Sequence, residues 1–251
     1  MILSRLTWQD VESLSREIVV LTPTGSLEQH GPHLPLFTDS LIATAVAEAV
    51  EKNIPQQILL TPTLWMGASG HHLAFPGTIS ASFESYEGAI TSVVESLLPH
   101  GFRKFYFLNG HGGNTEPNGV ALRKLKARYG NSLFGHLGYF SLITDEIAAI
   151  LEGPNKDMRH ACEAEASLMM HLHPDLVRRD KLRDDGLRTE PPVKGAVLHF
   201  DEFTEQGSLG YATLATEDKG RRIFEAAATA CTTELSRFAE GFVLVGIEPR
   251  G

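Results

Sequence analysis

Short apolar runs alternate with longer amphipathic stretches along this chain, and that alternation limits the folds open to it. Residues 17–21 (EIVVL) read as a buried strand and 39–52 as an Ala-rich helix. Residues 57–60 and 104–108 (KFYFL) read as further strands, with a helix over 84–98 between them. A helix over 117–128, a strand near 132–139 and helices over 142–151, 162–172 and 218–239 complete the pattern. Strands joined through helices pair in parallel, so the expected fold is an α/β sandwich around a mostly parallel sheet. The 251 residues suit one such domain, 1–251, because no Pro/Ser/Gly-rich linker divides them. Residues 180–205 are polar and weakly periodic, which reads as a surface excursion.

Composition removes several function classes. A net charge of -9 argues against nucleic acid and anionic membranes as partners, since phosphate binding needs clustered Lys and Arg. No apolar run approaches the roughly 20 residues that span a bilayer. Two isolated cysteines, Cys162 and Cys231, allow neither a disulfide framework nor a CxxC metal motif, and point to a reducing cytoplasm. No GxSxG nucleophile elbow occurs, because Gly67-Ala68-Ser69-Gly70 lacks the spacing.

Four strings carry chemistry. In open α/β sheets ligand sites gather beyond the carboxyl ends of the strands, and two of these strings follow strands directly. After residues 17–21 comes a Gly/Pro-rich loop with Glu28 and His30 two apart, then Asp39 at a helix start. Mixed carboxylate and imidazole ligands suit Zn²⁺, Mn²⁺ or Fe²⁺, and a shared carboxylate lets two ions sit about 3.5–4 Å apart and activate a water between them. Taken alone, Asp39 reads better as a helix N-cap than as a ligand. After residues 104–108 comes Asn109-Gly110-His111-Gly112-Gly113-Asn114, where three glycines let the backbone approach a ligand and His111 project from the strand end.

The third string is His160-Ala161-Cys162-Glu163-Ala164-Glu165. His160 and Glu163 can cap the helix that follows, or Glu165 can face the site. The fourth is Gly70-His71-His72 with Phe75-Pro76-Gly77-Thr78, a pocket loop in which one histidine reaches the centre and the other acts as a strut. His136, His171, His173 and His199 keep no such company and read as structural or exposed.

Together the strings GSLEQHGPHLPLFTDS, HHLAFPGTIS, NGHGGNTEPN and HACEAEASLMM, in this order, resemble the creatininase (creatinine amidohydrolase) family over most of the chain, from Thr22 to about Leu172. The resemblance implies a creatininase-like α/β sandwich, homo-oligomers that are commonly hexamers, and two divalent ions per chain that hydrolyse a C–N bond of a small-molecule substrate. By motif, Glu28, Asp39 and His111 would hold one ion with Asp39 bridging, and His30 and Asp39 the other. Creatininase has a Glu two places after the histidine of its Asn-Gly-His string, where this chain has Gly113. Relatives with NGHGGN imply that Glu165, rather than Glu163, completes the second ion's ligands. His160 matches the histidine assigned to catalysis, and His71, His72, Gly112 and Gly113 fall at the substrate. Gly113, and the lack of tryptophan between Thr115 and His160, argue against creatinine itself. Cys162, where relatives usually carry Gly, lines the pocket or is merely tolerated; with no basic neighbour its thiol is no nucleophile.

Overall fold

A computed structural model describes residues 1–187 and 195–241. Four parallel strands form the central sheet: β1 (Val19–Thr24), β2 (Ile58–Leu60), β3 (Lys104–Asn109) and β4 (Leu133–Gly138), in the order β2-β1-β3-β4. Helix α2 (Thr38–Asn53) links β1 to β2, α3 (Phe83–Leu97) links β2 to β3, and α4 (Thr115–Arg128) links β3 to β4. Helices α5 (Thr144–Ile150), α6 (Glu163–Leu172) and α7 (Glu217–Glu240) follow. The α/β class read from the sequence is the observed one, with element ends moved by at most three residues.

Strands β1, β2 and β3 are buried on both faces, so residues 19–21, 58–60 and 105–108 are apolar without alternation, whereas β4 at the sheet edge is half-buried and carries His136. Val19, Leu21, Ile58, Leu60, Tyr106 and Leu108 face a core shared with α2, α6 and α7. Val20, Leu59, Phe105 and Phe107 point the other way, onto α3 and α4. Successive side chains thus enter opposite cores, the period of two that a strand imposes.

Strand β1 continues three residues past the apolar run, through Thr22, Pro23 and Thr24. Pro23 sits in a central strand at little cost. Its carbonyl accepts from Leu64 N at 2.9 Å, on the β2 side, and β2 has already ended at Leu60 opposite Leu21. The missing N–H therefore falls where the ladder has stopped. The sequence reading also lacked α1 (Trp8–Ser13), which has six residues, no buried position and a capping box between Thr7 and Asp10.

The chain leaves β1 and β3 side by side, with Thr24 paired to Asn109. From there α2 runs to β2 and α4 to β4, on opposite faces of the sheet. This divergence is the topological switch point at which open α/β sheets hold their ligands. Helix α2 starts hard against the end of β3: a β-carbon at Gly110 would lie 2.7 Å from the Asp39 carbonyl oxygen. That approach demands glycine and sets Asp39 beside the loop that carries His111.

On the far side, Lys219 of α7 is buried and pairs with Glu163 Oε1 at 2.7 Å and Glu152 Oε2 at 3.2 Å. Glu163 also accepts from Glu152 N and Gly153 N, both at 2.9 Å. Lys219→Ala would strand the Glu163 charge inside the protein, so unfolding in urea should show a loss of about 3–5 kcal/mol.

Candidate metal centre

Three hydrogen bonds fix the loop after β1. Glu28 N donates to Leu36 O at 2.9 Å, Ile79 N to Leu27 O at 2.9 Å, and Gln29 N to Thr78 Oγ1 at 3.1 Å. The side chains of Glu28 and His30, two apart, come together on one centre. Asp39 is the second residue of α2 and not its N-cap, which is Phe37. Its Oδ1 lies 2.9 Å from His30 Nε2 and its Oδ2 2.9 Å from His111 Nδ1, while Ser26 Oγ donates to Oδ2 at 2.8 Å. Glu28 Oε1 stands 3.2 Å from His111 Nδ1, 3.2 Å from His72 Nε2 and 3.5 Å from His160 Nδ1. Glu165, in the first turn of α6, brings Oε2 to 3.9 Å from His30 Nε2 and accepts from Ala161 N.

Each of three imidazoles ties one ring nitrogen to a main-chain carbonyl and turns the other inward. His30 Nδ1 is 3.1 Å from Glu28 O, His111 Nε2 is 3.3 Å from Ala68 O, and His160 Nε2 is 2.7 Å from Gln29 O. A carbonyl can only accept, so the outer nitrogen carries the proton and the inner one is free to ligate. Metal-binding histidines are oriented in this way. Both Glu28 carboxylate oxygens are buried without a hydrogen-bond partner, a costly state for a charge unless a cation meets it. The donor set fits divalent ions. Ligand atoms gather in three overlapping trios: Glu28, Asp39 and His111; His30, His160 and Glu165; Glu28, His72 and His160.

The electrostatics of the metal-free cluster show the same strain. Burial pushes the His30 imidazole down, but Asp39, with Glu165 and Glu28 beyond, outweighs it and raises it to about 9. His111 is likewise lifted well above its usual range, the Glu28 and Asp39 carboxylates overcoming burial. Asp39 stays well below the carboxylate range despite burial because His30 and His111 face it. Burial raises Glu165 to about 8 against the pull of His30, with Asp39 adding to the rise. His160 is driven well below the usual imidazole value by burial and by His30.

The residues singled out by sequence, Glu28, His30, Asp39, His111, His160 and Glu165, are therefore brought to one place. His71, His72, Gly112 and Gly113 line the same cavity of about 460 Å³. Of the two adjacent histidines, His72 reaches Glu28, whereas His71 lies parallel to the His111 ring at 5.7 Å. A β-carbon at Gly113 would lie 2.5 Å from His111 Nε2 and 2.8 Å from His71 Cε1, so a side chain there would force these rings apart. Glu163, the alternative to Glu165, is engaged with Lys219 and does not cap α6 with its side chain. Cys162 is buried and absent from the cavity lining, its thiol pushed up to about 12.

The excursion over 180–205 needs correction, apart from residues 188–194, which lie outside the described residues. Asp184–Asp185 pairs with Gly210–Tyr211 as a short antiparallel ribbon, β5 and β6. Residues 195–209 form a strap over the site. Phe200 on this strap is buried, with its ring 4.0 Å from that of His72 and 4.7 Å from that of His160. Leu209 N donates to His160 O at 2.7 Å. Polarity hid this segment, since one buried aromatic leaves no periodic signal.

Two more residues were quoted in motifs without a role. Asn109 Oδ1 accepts from His111 N at 3.1 Å and from Thr24 Oγ1 at 3.0 Å, and its Nδ2 donates to His111 O at 2.6 Å. Asn114 donates to Gly25 O and accepts from Ala68 N, both at 2.9 Å. The two asparagines clamp His111 between the loops after β1 and β3.

Imidazoles and carboxylates gathered over the carboxyl ends of a parallel sheet define a metal-dependent hydrolase of α/β architecture. The chain belongs to the creatininase family: the family model described as creatinine amidohydrolase matches residues 4–235. It is similar to the mycofactocin precursor peptide peptidase of Mycobacterium tuberculosis, at 35% identity over 94% of this chain and 91% of that protein. It is also similar to the creatinine amidohydrolase of Pseudomonas putida, at 31% identity over 88% and 90%. The crystal structure of a creatinine amidohydrolase superposes with a TM-score of 0.82 at 30% identity, covering 94% of this chain and 96% of that one. Solved creatininases include a Zn–Zn type and a Mn form.

The raised imidazoles set the pH response of the metal-free chain. Folded His30 holds its proton more tightly than the unfolded chain does. Its contribution is fully present below 6.5 and is lost as the pH rises through about 9. Raised His111 and Glu165 act in the same sense. The thermal midpoint of metal-free protein should fall between these pH values. Saturating Zn²⁺ should weaken or reverse the trend, because bound ligands must give up their protons. A flat profile without metal would count against this buried cluster.

Proposed function

We propose that this protein is a dinuclear amidohydrolase that cleaves a C–N bond of a small cyclic amide or a related compound. Glu28, Asp39 and His111 would hold one ion, and His30, Asp39 and Glu165 would hold the other. The observation that carries this reading is the common anchoring of His30, His111 and His160 on main-chain carbonyls, which turns their three inner ring nitrogens toward buried carboxylates. Zn, Mn and Fe all suit such donors, and the Zn and Mn creatininase structures support the first two. Two divalent ions bound there supply Lewis acidity to a water and to the scissile carbonyl.

The chain's own groups do the rest. The His160 Nε2 proton is committed to the Gln29 carbonyl, so Nδ1 is the atom that takes a proton from the attacking water and passes it to the leaving nitrogen. Phe200, Phe140, Met158 and Leu209 wall the cavity with apolar surface and exclude bulk water. Gly112 and Gly113 leave room for substrate beside His111, with His71 and His72 along the same wall. A second reading, cleavage of a peptide C–N bond, is favoured by the mycofactocin precursor peptide peptidases among the relatives. The two free, buried cysteines support a reducing, cytoplasmic setting. Among the described residues no helix is long and apolar enough to cross a membrane.

Elemental analysis after reconstitution should find about two ions per chain. Glu28→Gln should lose one of them and all turnover on cyclic amide or peptide substrates. A single ion in the wild type, or wild-type turnover in the variant, would refute the ligand assignment. We also propose a homo-oligomer, with a hexamer as the family's common form. Trp65, Met66, Leu73 and Ile79 are exposed between β2 and α3, with exposed Phe83 at the start of α3 and exposed Leu36 after β1, and monomers rarely carry large apolar patches. Light scattering should give a mass several times 27.5 kDa, reduced by Phe83→Glu; a monomer would refute it.

A further inference from the structure

Gln29 stands between Glu28 and His30, and every polar atom of its amide is engaged. Its Oε1 accepts from Gly31 N at 3.0 Å. Its Nε2 lies 2.8 Å from Gly207 O on the strap and 2.7 Å from His72 Nδ1. A backbone N–H can only donate and a carbonyl can only accept, so the amide has one orientation. One Nε2 hydrogen goes to Gly207 O, and the other points at His72 Nδ1, which must accept it. The ring proton of His72 then sits on Nε2, which is 3.2 Å from Glu28 Oε1. His160 does not compete for the amide: its Nε2 proton goes to the Gln29 main-chain carbonyl at 2.7 Å, and the 3.2 Å approach of the two nitrogens is a contact of donors.

We propose that Gln29 is a positioning residue that fixes His72 as its neutral Nε2–H tautomer, so that His72 turns an N–H and not a lone pair toward Glu28 and is not an ion ligand. This rests on Glu28 ligating metal. It removes the trio of Glu28, His72 and His160 as an ion site, because the His72 nitrogen that faces it carries a hydrogen. It also ties the strap to the metal centre. The Gly207 carbonyl holds the Gln29 amide, the amide sets the His72 ring, and the ring turns its N–H toward the Glu28 carboxylate. Gly207 leaves no slack in this chain: a β-carbon there would run into the Gln29 amide. Phe200, on the same strap, packs on the His72 ring at 4.0 Å.

The test is the Zn²⁺ affinity of the purified protein, measured by competition with a chromophoric chelator, beside the thermal midpoint of the metal-free form. His72→Leu removes the donor. His72→Gln keeps an N–H at about the same reach. Gln29→Glu replaces the donor with an acceptor, so that a neutral His72 carries its proton on Nδ1 and presents a lone pair to Glu28. His72→Leu and Gln29→Glu should each weaken zinc binding about 10–100-fold, the usual cost of losing an outer-shell partner, and His72→Gln should recover most of that loss. Wild-type affinity in His72→Leu or Gln29→Glu would overturn the proposal, as would His72→Gln binding as weakly as His72→Leu. A purely structural role would lower the metal-free midpoint and leave zinc affinity intact. If His72→Leu does not fold, Gln29→Glu and His72→Gln decide the matter. Wild-type protein that binds no zinc would instead bring down the dinuclear reading, a result distinct from wild-type binding that the variants share.

Discussion

Three carboxylates, Glu28, Asp39 and Glu165, are buried within a few ångströms of one another, and the architecture around them depends on making that tolerable. Like charges at such distances cannot all ionise without a cation. The metal-free site meets this by holding protons: His30 and His111 are raised, and Glu165 with them. Divalent ions would replace those protons with fixed positive charge. The side chains would keep their places, because their orientation comes from elsewhere.

That orientation comes from backbone. His30, His160 and His111 each lean on a main-chain carbonyl, and those carbonyls belong to two loops: Glu28 and Gln29 after β1, and Ala68 between β2 and α3. The loops are in turn held by Asn109 and Asn114, whose amides join the ends of β1 and β3 to the loop around Ala68. A strand-end site of this kind is stiff without being packed like a core. Its rigidity is carried by oriented hydrogen bonds in a region where apolar contacts would fill the cavity. The loss of one amide, Asn109 for instance, would leave a buried carbonyl or N–H unpaired as well as releasing His111.

Much of this was legible in the sequence, for a local reason. Glu28 and His30 are two apart, Asn109 to Asn114 is one hexapeptide, and His160 to Glu165 spans six residues, so each fragment shows its ligand types within a short window. The sheet was legible because β1, β2 and β3 are buried on both faces and carry unbroken apolar runs. What the sequence hid is long-range. Gln29 meets Gly207 across 178 positions and His72 across 43, and neither spacing leaves a periodic trace. Phe200 is one aromatic in a polar stretch. Helix α1 has a capping box but no buried face to mark it.

The strap accounts for a feature of this chain that its motifs alone do not. With no tryptophan near the Asn-Gly-His string, the cavity has no indole to close it, and Gly113 removes a side chain from its floor. Phe200 covers the histidines in their place, and it arrives on a segment held by Asp185, which accepts from Glu205 N at 3.0 Å and Gln206 N at 2.6 Å. The wall of the cavity is therefore supplied by a different part of the chain from its floor. A site assembled in this way can keep its hydrolytic centre unchanged while the strap varies, so that selectivity for the substrate can shift without touching a ligand.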